Sequence, residues 1–506
     1  MAIACVTTRA SLGVAAPEVT VEVHLSNGLP AFNLVGLPET SVKEAKERVR
    51  SALINAGFEF PQRRITVNLA PADLPKQGGR YDLPIAIGIL AASKQVPDTH
   101  LRDHEFIGEL ALSGQIRPCT GILPVIIDAR KQDKALVLPL DNRADAELVG
   151  YRKCFFAAHL QALAQYLHGQ ASLPGLTQDL EWLDTQADTD HKCLSDVIGQ
   201  YQAKRALEIA AAGNHNLLFL GPPGTGKTML ASRMMQLLPP LDYDEALEVA
   251  AIHSVAGISI PMQAFYQRPF RSPHHTSSAI SLVGGGSHPK PGEISLAHRG
   301  VLFLDEVAEF PRKVLDCLRE PMETGEVVIS RAAAKLTFAS RFQLIAAMNP
   351  SPCGDSANAR ATQDQIQRYL ARLSGPFIDR FDLTIEVPRL PQGTLTTGER
   401  GESSRDVAQR VHQARERQLS RAGVLNAELT GKQLSQTAGF NQQDLEFLEQ
   451  SVNQLGLSVR SYHRLQRVAR TIADLEQSTA VDRRHIAQAL GYRAMDRLLN
   501  SLKAPY

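Results

Sequence analysis

The chain has 506 residues, with 54 Lys and Arg against 53 Asp and Glu, a formal net charge of +1 and 43% apolar residues. At about 150 residues per domain, this length predicts roughly three domains, each large enough to bury its own core. The composition excludes a disordered chain and a disulfide scaffold. The near-zero net charge excludes a uniformly basic coat for nucleic acid or membrane, although it says nothing against a local basic channel.

Cysteine usage and hydropathy indicate a compartment. The six cysteines are scattered and show no CxxC pair or metal-ligand spacing, which favours buried, reduced thiols. The first residues lack a charged start followed by a long apolar run, so we expect no signal peptide. The longest apolar stretch, residues 83–92, is too short to span a bilayer. These features predict a cytoplasmic protein with no membrane partner.

Residues 1–170 are predicted to form a mixed α/β domain. Runs of β-branched residues predict strands at 19–25, 64–70 and 134–139. Apolar residues at helical spacing predict a helix at 41–58, which Gly57 would end, and a buried helix begins near residue 83. Residues 171–193 are polar and interrupted by Pro and Gly, which predicts a linker.

The rest of the chain is predicted to form two further domains. Residues 194–388 open with a helical pattern at 200–212, and a strand, a Gly-rich turn and a helix follow. Residues 389–402 have the composition of a second linker. Residues 403–506 carry helical spacing without strand-like alternation, which predicts an all-α domain.

The strongest chemical motif is G-x-x-x-x-G-K-T at residues 221–228. It consists of Gly221, Pro222, Pro223, Gly224, Thr225, Gly226, Lys227 and Thr228. Glycines let backbone N–H groups turn towards phosphate oxygens, and the following helix directs its positive end at the same charge. We expect Lys227 to neutralise the β- and γ-phosphates of ATP and the Thr228 hydroxyl to bind Mg²⁺. An apolar strand at 217–220 precedes the loop, as a nucleotide-binding loop requires.

Two further apolar strands end in polar side chains. The first lies within residues 300–306 and delivers two carboxylates: Asp305 is expected to hold Mg²⁺ through water, and Glu306 to act as the base that polarises the attacking water. The alternative for this pair is a solvated acidic loop. The second strand, residues 342–349, ends in Asn349, which is placed to bind the attacking water or the γ-phosphate, the role known as sensor 1. The alternative is a turn residue before Pro350.

Arg380 lies between carboxylates in an otherwise apolar segment. An arginine at such a position is a candidate finger, a side chain that completes the nucleotide site of a neighbouring subunit. The alternative is an ion pair within the chain, to Asp379 or Asp382. Arg372 is the second candidate for the finger.

The last domain holds four arginines within residues 457–475, at positions 460, 464, 467 and 470. Either Arg460 or Arg464 is expected to reach the phosphates, the role known as sensor 2. Arg467 and Arg470 are expected to lie on a solvated face.

The order of these motifs, with a helical lid at the end, resembles an AAA+ ATPase. Residues 269–306 are similar to the magnesium-chelatase-like branch of that family, and within it to the ComM/YifB group, and the resemblance covers essentially the whole chain. It implies an insertion before the Asp-Glu strand that points into a ring pore, and a β-hairpin at 327–342 before sensor 1. Arg331 and Lys335, near the hairpin tip, are candidates for contacts to DNA phosphate; the alternative is ordinary exposed hairpin charge.

Residues 67–90 and 108–131 resemble the proteolytic domain of Lon, whose peptidase uses a Ser–Lys dyad. The expected serine position falls within 78–82, yet no Ser occurs from 67 to 92, and the expected lysine segment, 121–128, has no Lys. The resemblance therefore implies a Lon-type fold without peptidase activity. Many members of the ComM/YifB group have several cysteines after the sensor 1 Asn, whereas this chain has only Cys353 there, which argues against a zinc site.

The resemblance implies a ring-forming DNA motor, a hexamer by family analogy, with ATP and Mg²⁺ as cofactors. Its substrate would be single-stranded or branched DNA, and its activity that of a branch-migration helicase that extends heteroduplex while transforming DNA is integrated. The loop 221–228, Asp305 and Glu306 would come from one subunit, and Arg380 from the next.

Two other functions stay open at this point. A metal-chelatase motor has a similar ATPase core, but it lacks the Lon-like domain, and its partner carries a DxSxS metal site that this chain does not contain. A remodeller of protein partners would be expected to carry an aromatic residue in its pore loop, and residues 280–298 have none.

Overall fold

The structure is a computed structural model that describes residues 2–36, 39–176, 192–286, 289–330, 335–352, 362–394 and 401–502. Arg331, Cys353 and part of each predicted linker lie outside these residues.

In the described residues, strands and helices alternate over about the first three quarters of the chain, and only helices follow the last strand, Leu383–Glu386. The strands are β1 (Ala2–Arg9), β2 (Glu18–Ser26), β3 (Ala31–Val35), β4 (Arg64–Ala70), β5 (His104–Phe106), β6 (Glu109–Leu110), β7 (Ile116–Arg117), β8 (Ala135–Pro139), β9 (Cys154–Ala157), β10 (Leu217–Leu220), β11 (Phe270–Arg271), β12 (Gly284–Gly285), β13 (Lys290–Pro291), β14 (Val301–Leu304), β15 (Glu326–Ser330), β16 (Lys335–Ala339), β17 (Gln343–Met348) and β18 (Leu383–Glu386). The helices are α1 (Thr40–Lys43), α2 (Ala45–Asn55), α3 (Asp82–Ala92), α4 (Ile122–Lys131), α5 (Arg143–Val149), α6 (Leu160–Leu167), α7 (Tyr201–Gly213), α8 (Lys227–Ser232), α9 (Tyr243–Ala256), α10 (Ala279–Val283), α11 (Glu293–Leu296), α12 (Arg312–Asp316), α13 (Arg319–Thr324), α14 (Gln363–Leu370), α15 (Gly375–Ile378), α16 (Ser404–Ala422), α17 (Gly431–Thr437), α18 (Gln442–Gln454), α19 (Val459–Leu475), α20 (Arg483–Gly491) and α21 (Ala494–Ser501).

A seven-stranded mixed sheet organises the N-terminal domain, in the order β3-β4-β2-β1-β5-β8-β9. β2 pairs antiparallel with both β1 and β4, and the other pairs are parallel. Alternate residues of β2 and β4 are buried, because one face of the sheet packs on α2 and α3. The predicted strand at 64–70 coincides with β4, whereas the helix predicted at 41–58 is divided between α1 and α2.

The central domain is built on a five-stranded parallel sheet with the order β11-β14-β17-β10-β18. β10, β14 and β17 are buried along their whole length, as their uninterrupted apolar runs predict. In a parallel sheet all carboxyl ends lie at one edge, and ligands bind there. The loops that follow these three strands therefore meet at one place.

The described residues 401–502 form helices α16 to α21, which confirms the predicted helical C-terminal region. α16 and α19 pack on α7 of the central domain, and their apolar residues join one core with β10 and β17. The chain thus has an α/β fold with a helical C-terminal region.

The N-terminal and central domains share a core between α4 and α9. Leu123 of α4 and Val249 of α9 are both 2% exposed within it. The end of α9 also accepts two hydrogen bonds from the start of α4: Gly121 N to Ser254 O at 3.1 Å, and Leu123 N to Ser254 Oγ at 3.3 Å. The two domains therefore meet through buried apolar contact as well as polar contact.

Two expectations about burial are wrong. Arg470 does not lie on a solvated face: it is 1% exposed, and its guanidinium donates to Asp474 at 2.9 Å and to the Thr479 carbonyl at 2.9 Å. Burial is possible because charge and donors are both matched. The described cysteines are free thiols, but Cys5 is exposed and only Cys154 is fully buried.

Among the described residues, no helix has the length and apolar character needed to cross a membrane.

Candidate functional site

The loop 221–226 leads from β10 to α8 at the carboxyl edge of the central sheet. Gly224 and Gly226 have φ values of +79° and +90°, in the left-handed region that favours glycine. A Cβ at either position would meet no atom within 4 Å, so glycine is needed here for backbone conformation and not for lack of space. The loop is therefore shaped as a cradle with room beside it, as phosphate oxygens require.

Lys227 lies inside this loop. Its side chain is buried, and Nζ donates to the carbonyls of Gly221 at 2.7 Å and Pro222 at 2.8 Å and to Asn349 Oδ1 at 3.1 Å. Burial lowers the pKa of Lys227, while the nearby charges of Asp305 and Glu306 act in the opposite direction. The structure thus brings together the predicted loop lysine and the amide predicted as sensor 1.

Thr228 and Asp305 form the second contact between predicted residues. The Thr228 hydroxyl donates to Asp305 Oδ2 at 2.7 Å, and the Glu306 N–H donates to Asp305 Oδ1 at 3.0 Å. A hydroxyl and a carboxylate are the hard oxygen ligands that Mg²⁺ takes beside phosphate and water, so the donor set fits that ion. The described part of the chain holds no group of three or more His, Cys, Asp or Glu that would bind a metal by protein ligands alone.

Glu306 follows β14 with φ of +50° and ψ of +47°, and its side chain is 55% exposed. His275 Nδ1 lies 3.8 Å from its Oε2. This histidine was not predicted from the sequence, because its approach to Glu306 depends on the strand register. Arg271 of β11 pairs with Leu302 of β14, and His275 and Glu306 each stand four positions beyond their strand's paired residue.

Arg380 contacts neither of the carboxylates considered as its partners within the chain. Its side chain is 10% exposed and forms an ion pair with Glu323 on α13, and it donates to the Pro376 carbonyl. Within the described chain these contacts do not reach the loop 221–228. Asp382 instead lies 3.6 Å from His215 and 3.8 Å from Arg464, and although burial would raise the pKa of this carboxyl, those partners lower it.

The two sensor 2 candidates differ in their surroundings. The Arg464 side chain is 12% exposed and forms an ion pair with Asp382. Arg460 is exposed and lies near Arg380: burial lowers the pKa of Arg380, and the charge of Arg460 contributes further lowering. The charge of Arg460 therefore acts on Arg380. Arg372, the second candidate for the finger, is paired with Glu309 at 2.8 Å.

Gln200 is a further residue of the site that the sequence argument did not single out. Its Nε2 donates to the Pro388 carbonyl at 2.8 Å and to the Thr225 carbonyl at 3.4 Å. It thus connects the start of α7, the loop 221–228 and the chain after β18. Gln200 has a positive φ of +51° immediately before α7. In the sequence, the preceding Gly199 indicates a turn at this position.

The hairpin of β15 and β16 presents alternate side chains to solvent. Lys335 is exposed and pairs in register with Ser330, while Val327, Ile329, Leu336 and Phe338 are buried on the other face. Lys335 is thus accessible at the hairpin's outer end. Arg331, the other predicted contact, is outside the described residues.

The two segments in which the Lon resemblance places a dyad are neighbours in space. Arg80, within 78–82, donates through Nη2 to the Thr120 carbonyl at 2.7 Å, just before the segment 121–128. Arg80 is 7% exposed, and Asp82 next to it is fully buried and paired with Arg48 at 2.7 Å. Burial raises the pKa of Asp82 to about 6, against the effect of Arg48. The buried ion pair of Arg48 with Asp82 therefore lies at the first of these two segments.

Three family models match successive parts of the chain. The family described as magnesium chelatase, subunit ChlI, matches residues 193–395, subunit ChlI of Mg-chelatase matches 21–142, and the ChlI C-terminal family matches 401–493. Competence protein ComM of Haemophilus influenzae is 56% identical over 506 residues, which cover 99% of each chain. Protein YifB of Escherichia coli is 52% identical over 506 residues, again 99% of each. The magnesium-chelatase 38 kDa subunit of Cereibacter sphaeroides is 26% identical over 320 residues, 58% of this chain and 87% of that protein. The chain therefore belongs to the ComM/YifB group of the magnesium-chelatase-like AAA+ family.

Proposed function

We propose that the protein is a ring-forming, ATP-driven DNA motor that migrates DNA branches and extends heteroduplex during integration of transforming DNA. Family membership implies ATPase activity with Mg²⁺. The likeness to a competence protein over 99% of the chain supports a role in transformation. The motor part rests on one observation: the loop 221–228, Asp305 and Asn349 meet at one edge of the sheet, whereas the described contacts of Arg380 are to Glu323 and Pro376.

Each residue at the sheet edge has a role in this proposal. Lys227 and the backbone of the loop 221–226 hold the β- and γ-phosphates, and Thr228 and Asp305 hold Mg²⁺. When bound, ATP would supply the phosphoanhydride bond to be cleaved, and Mg²⁺ would neutralise negative charge on the phosphates. Glu306 takes a proton from the attacking water, and Asn349 orients that water. Such a base contributes typically about 10²–10⁴-fold to the rate.

The position of Arg380 is the reason for proposing a ring. Arg380 contacts Glu323 and Pro376, so within one chain it does not serve the phosphate loop. In a head-to-tail ring the same surface of each subunit faces the next one, and the arginines of one copy reach the nucleotide of its neighbour. By family analogy we propose six subunits, with Arg460 as the sensor 2 arginine beside the finger.

DNA would be held by few charges in this proposal. A chain of net charge +1 has no general attraction for nucleic acid. Contact would be confined to the pore, through Lys335 and Arg331 of the hairpin and the insertion around α10. DNA affinity should therefore be modest, decrease with salt, and increase when ATP assembles the ring.

The alternatives receive less support. The chelatase subunit is 26% identical and matches 58% of the chain, against 56% over the whole length for the competence protein. A protein remodeller would need a gripping aromatic, and the described residues 280–286 and 289–298 hold none.

The function is tested with a labelled four-stranded DNA junction. The purified protein should convert the junction to its migrated products only with ATP and Mg²⁺. Lys227→Ala should abolish both ATP turnover and conversion, and Glu306→Gln should still bind ATP while turnover falls at least about 100-fold. If wild-type protein hydrolyses ATP and forms rings but neither binds nor converts branched DNA, the motor proposal is wrong.

A further inference from the structure

The strand β3 forms an open edge of the seven-stranded sheet. It stands at one end of the strand order, and in the described part of the chain it pairs with β4 alone. Ala31 and Val35, at its two ends, are exposed, and Leu29, two positions before it, is 89% exposed. The backbone N–H and C=O groups on the outer side of an edge strand can pair with another extended chain.

A cavity of about 520 Å³ lies along this edge. Its lining combines apolar side chains of β3 with cations from three neighbouring elements. The apolar residues are Phe32, Leu34 and Val35, and the cations are Lys43 of α1, Lys46 of α2 and Arg64 of β4. Phe32 and Leu34 also pack against the buried core of the N-terminal domain, which fixes the apolar part of the cavity. The edge therefore offers apolar contact and positive charge beside its backbone groups.

The three cations are accessible to a ligand. All of them are exposed, and within the residues that the structure describes only Lys46 has an ion-pair contact, to Glu47 at 3.8 Å. That contact is long and largely exposed, so it is weak and easily exchanged. Because the whole chain has a net charge of only +1, this cluster is a local feature, and it attracts carboxylates to one place.

The free backbone decides which anionic chain fits the edge. An extended peptide repeats its N–H and C=O groups at the spacing of a strand, so it can add to β3 by backbone hydrogen bonds. DNA has no such repeat and would contact the cations through phosphate oxygens alone. A second copy of this chain would bring its own cationic edge against this one, and like charges keep such edges apart. The observations therefore favour an acidic peptide.

We propose that the β3 edge is a docking site for an extended acidic segment of a partner protein. The segment adds to the sheet beside β3, its carboxylates contact Lys43, Lys46 and Arg64, and its apolar residues pack on Phe32 and Leu34. The exposed length of β3, five residues, sets the length of the paired part. Docking requires neither ATP turnover nor DNA, so it is independent of the proposed motor activity.

The test is binding of a fluorescein-labelled peptide of alternating Glu and Val, about eight residues long, to the full-length protein. Fluorescence anisotropy measures the affinity. The same peptide with Gln in place of Glu should bind at least about tenfold more weakly, because its attraction to the cations is lost. Raising the salt concentration should weaken binding of the acidic peptide and leave that of the neutral peptide nearly unchanged.

Charge reversal at the edge tests the location. Lys46→Glu combined with Arg64→Glu changes two exposed side chains, so the domain core is left intact, and circular dichroism checks the fold. The double variant should bind the acidic peptide at least about tenfold more weakly than wild type, with unchanged ATP turnover. The matched control is Lys94→Glu with Arg102→Glu, which reverses two exposed cations of the same domain that do not line the cavity and should bind like wild type.

N-methylation of alternate peptide residues tests the backbone pairing. In an added strand only every second residue turns its N–H towards the sheet, so methylation of one set, the Glu or the Val residues, should abolish binding while methylation of the other preserves it. Equal effects of the two sets, no binding of the acidic peptide, or equal losses in the two charge-reversal variants would overturn the proposal. Displacement of the peptide by an equal concentration of single-stranded oligothymidylate would also overturn it and would assign the edge to DNA.

Discussion

Lys227 shows how single residues define the site. Its ammonium group is buried, and it is tolerated there because it donates to two loop carbonyls and to Asn349. A buried cation with flexible donors is suited to exchange such partners for phosphate oxygens. The loop, the amide and the carboxylates are thus pre-arranged around one charge.

Cys193 is the residue for which pH dependence is most direct. Burial would raise the pKa of its thiol, but hydrogen bonds from Ser195 and Ser404 outweigh burial and lower the pKa to about 7. The Ser404 N–H donates to Sγ at 3.2 Å, which ties the chain before α7 to the start of α16. Above this pH the thiolate predominates, and the thiolate is the reactive form.

We therefore predict that the rate of Cys193 alkylation by iodoacetamide reaches half its maximum near pH 7. The rate is measured at a series of pH values by peptide mapping. Ser195→Ala should move the midpoint to higher pH. Cys317 is the internal reference, since burial raises the pKa of its thiol. If the alkylation rates of Cys193 and Cys317 depended on pH in the same way, the hydrogen bonds from Ser195 and Ser404 to Cys193 would be contradicted.

At the scale of elements, a buried arginine of α19 connects this helix to its neighbours within the helical C-terminal region. Arg470 donates to Asp474 and to the carbonyls of Ala438 and Thr479, and Asp474 also accepts from Arg421 at 2.7 Å. Removing Arg470 leaves buried carbonyls without donors, and that costs more than an ordinary surface change.

Arg470→Leu should lower the free energy of unfolding by about 3 kcal/mol, measured by urea denaturation monitored by circular dichroism. Arg484→Leu is the control within the same domain. Its side chain is 82% exposed and pairs only at the surface with Asp482, so its loss should leave stability unchanged. Equal effects of the two substitutions would show that Arg470 lies on a solvated face after all.

The strands were the part of the fold most accessible to prediction. The strand predicted at 217–220 coincides with β10, and that at 64–70 coincides with β4, because apolar runs and alternation reflect burial directly. Arg470 was misplaced because helical spacing identifies a face but not the residues of another element that pack on it. The partner of Arg380 within the chain, Glu323, lies on a different helix and was not predicted for the same reason.

The site was predictable where it follows a strand end and unpredictable where it depends on register. Asp305 and Asn349 come directly after buried parallel strands, and Lys227 follows the loop after a third, so their meeting at one edge followed from the topology. His275 stands four residues beyond the short strand β11, and its approach to Glu306 depends on how β11 pairs with β14. Gln200 likewise required knowledge of the chain after β18.

At the scale of the whole molecule, the N-terminal domain is joined to the ATPase domain by packing. Leu123 and Val249 lie in a common core, and Leu12 also packs against the core that contains the base of the β15–β16 hairpin. The C-terminal helices pack on α7, and Gln200 at the start of α7 donates to the Thr225 carbonyl in the loop 221–228. All three parts of the chain thus contact elements that border the proposed site or the proposed pore.

The central claim is that two copies of the chain complete one catalytic site, and mixing of inactive variants tests it most directly. Lys227→Ala lacks a functional loop but keeps Arg380, and Arg380→Ala has the converse defect, with turnover expected about 10³-fold below wild type. A mixture allowed to assemble on junction DNA should recover ATP turnover, because some interfaces then combine an intact loop with an intact arginine. Lys227→Ala mixed with Glu306→Gln carries both defects in the same half of the site and should stay inactive. No recovery in the first mixture, or equal recovery in both, would contradict a site shared between subunits.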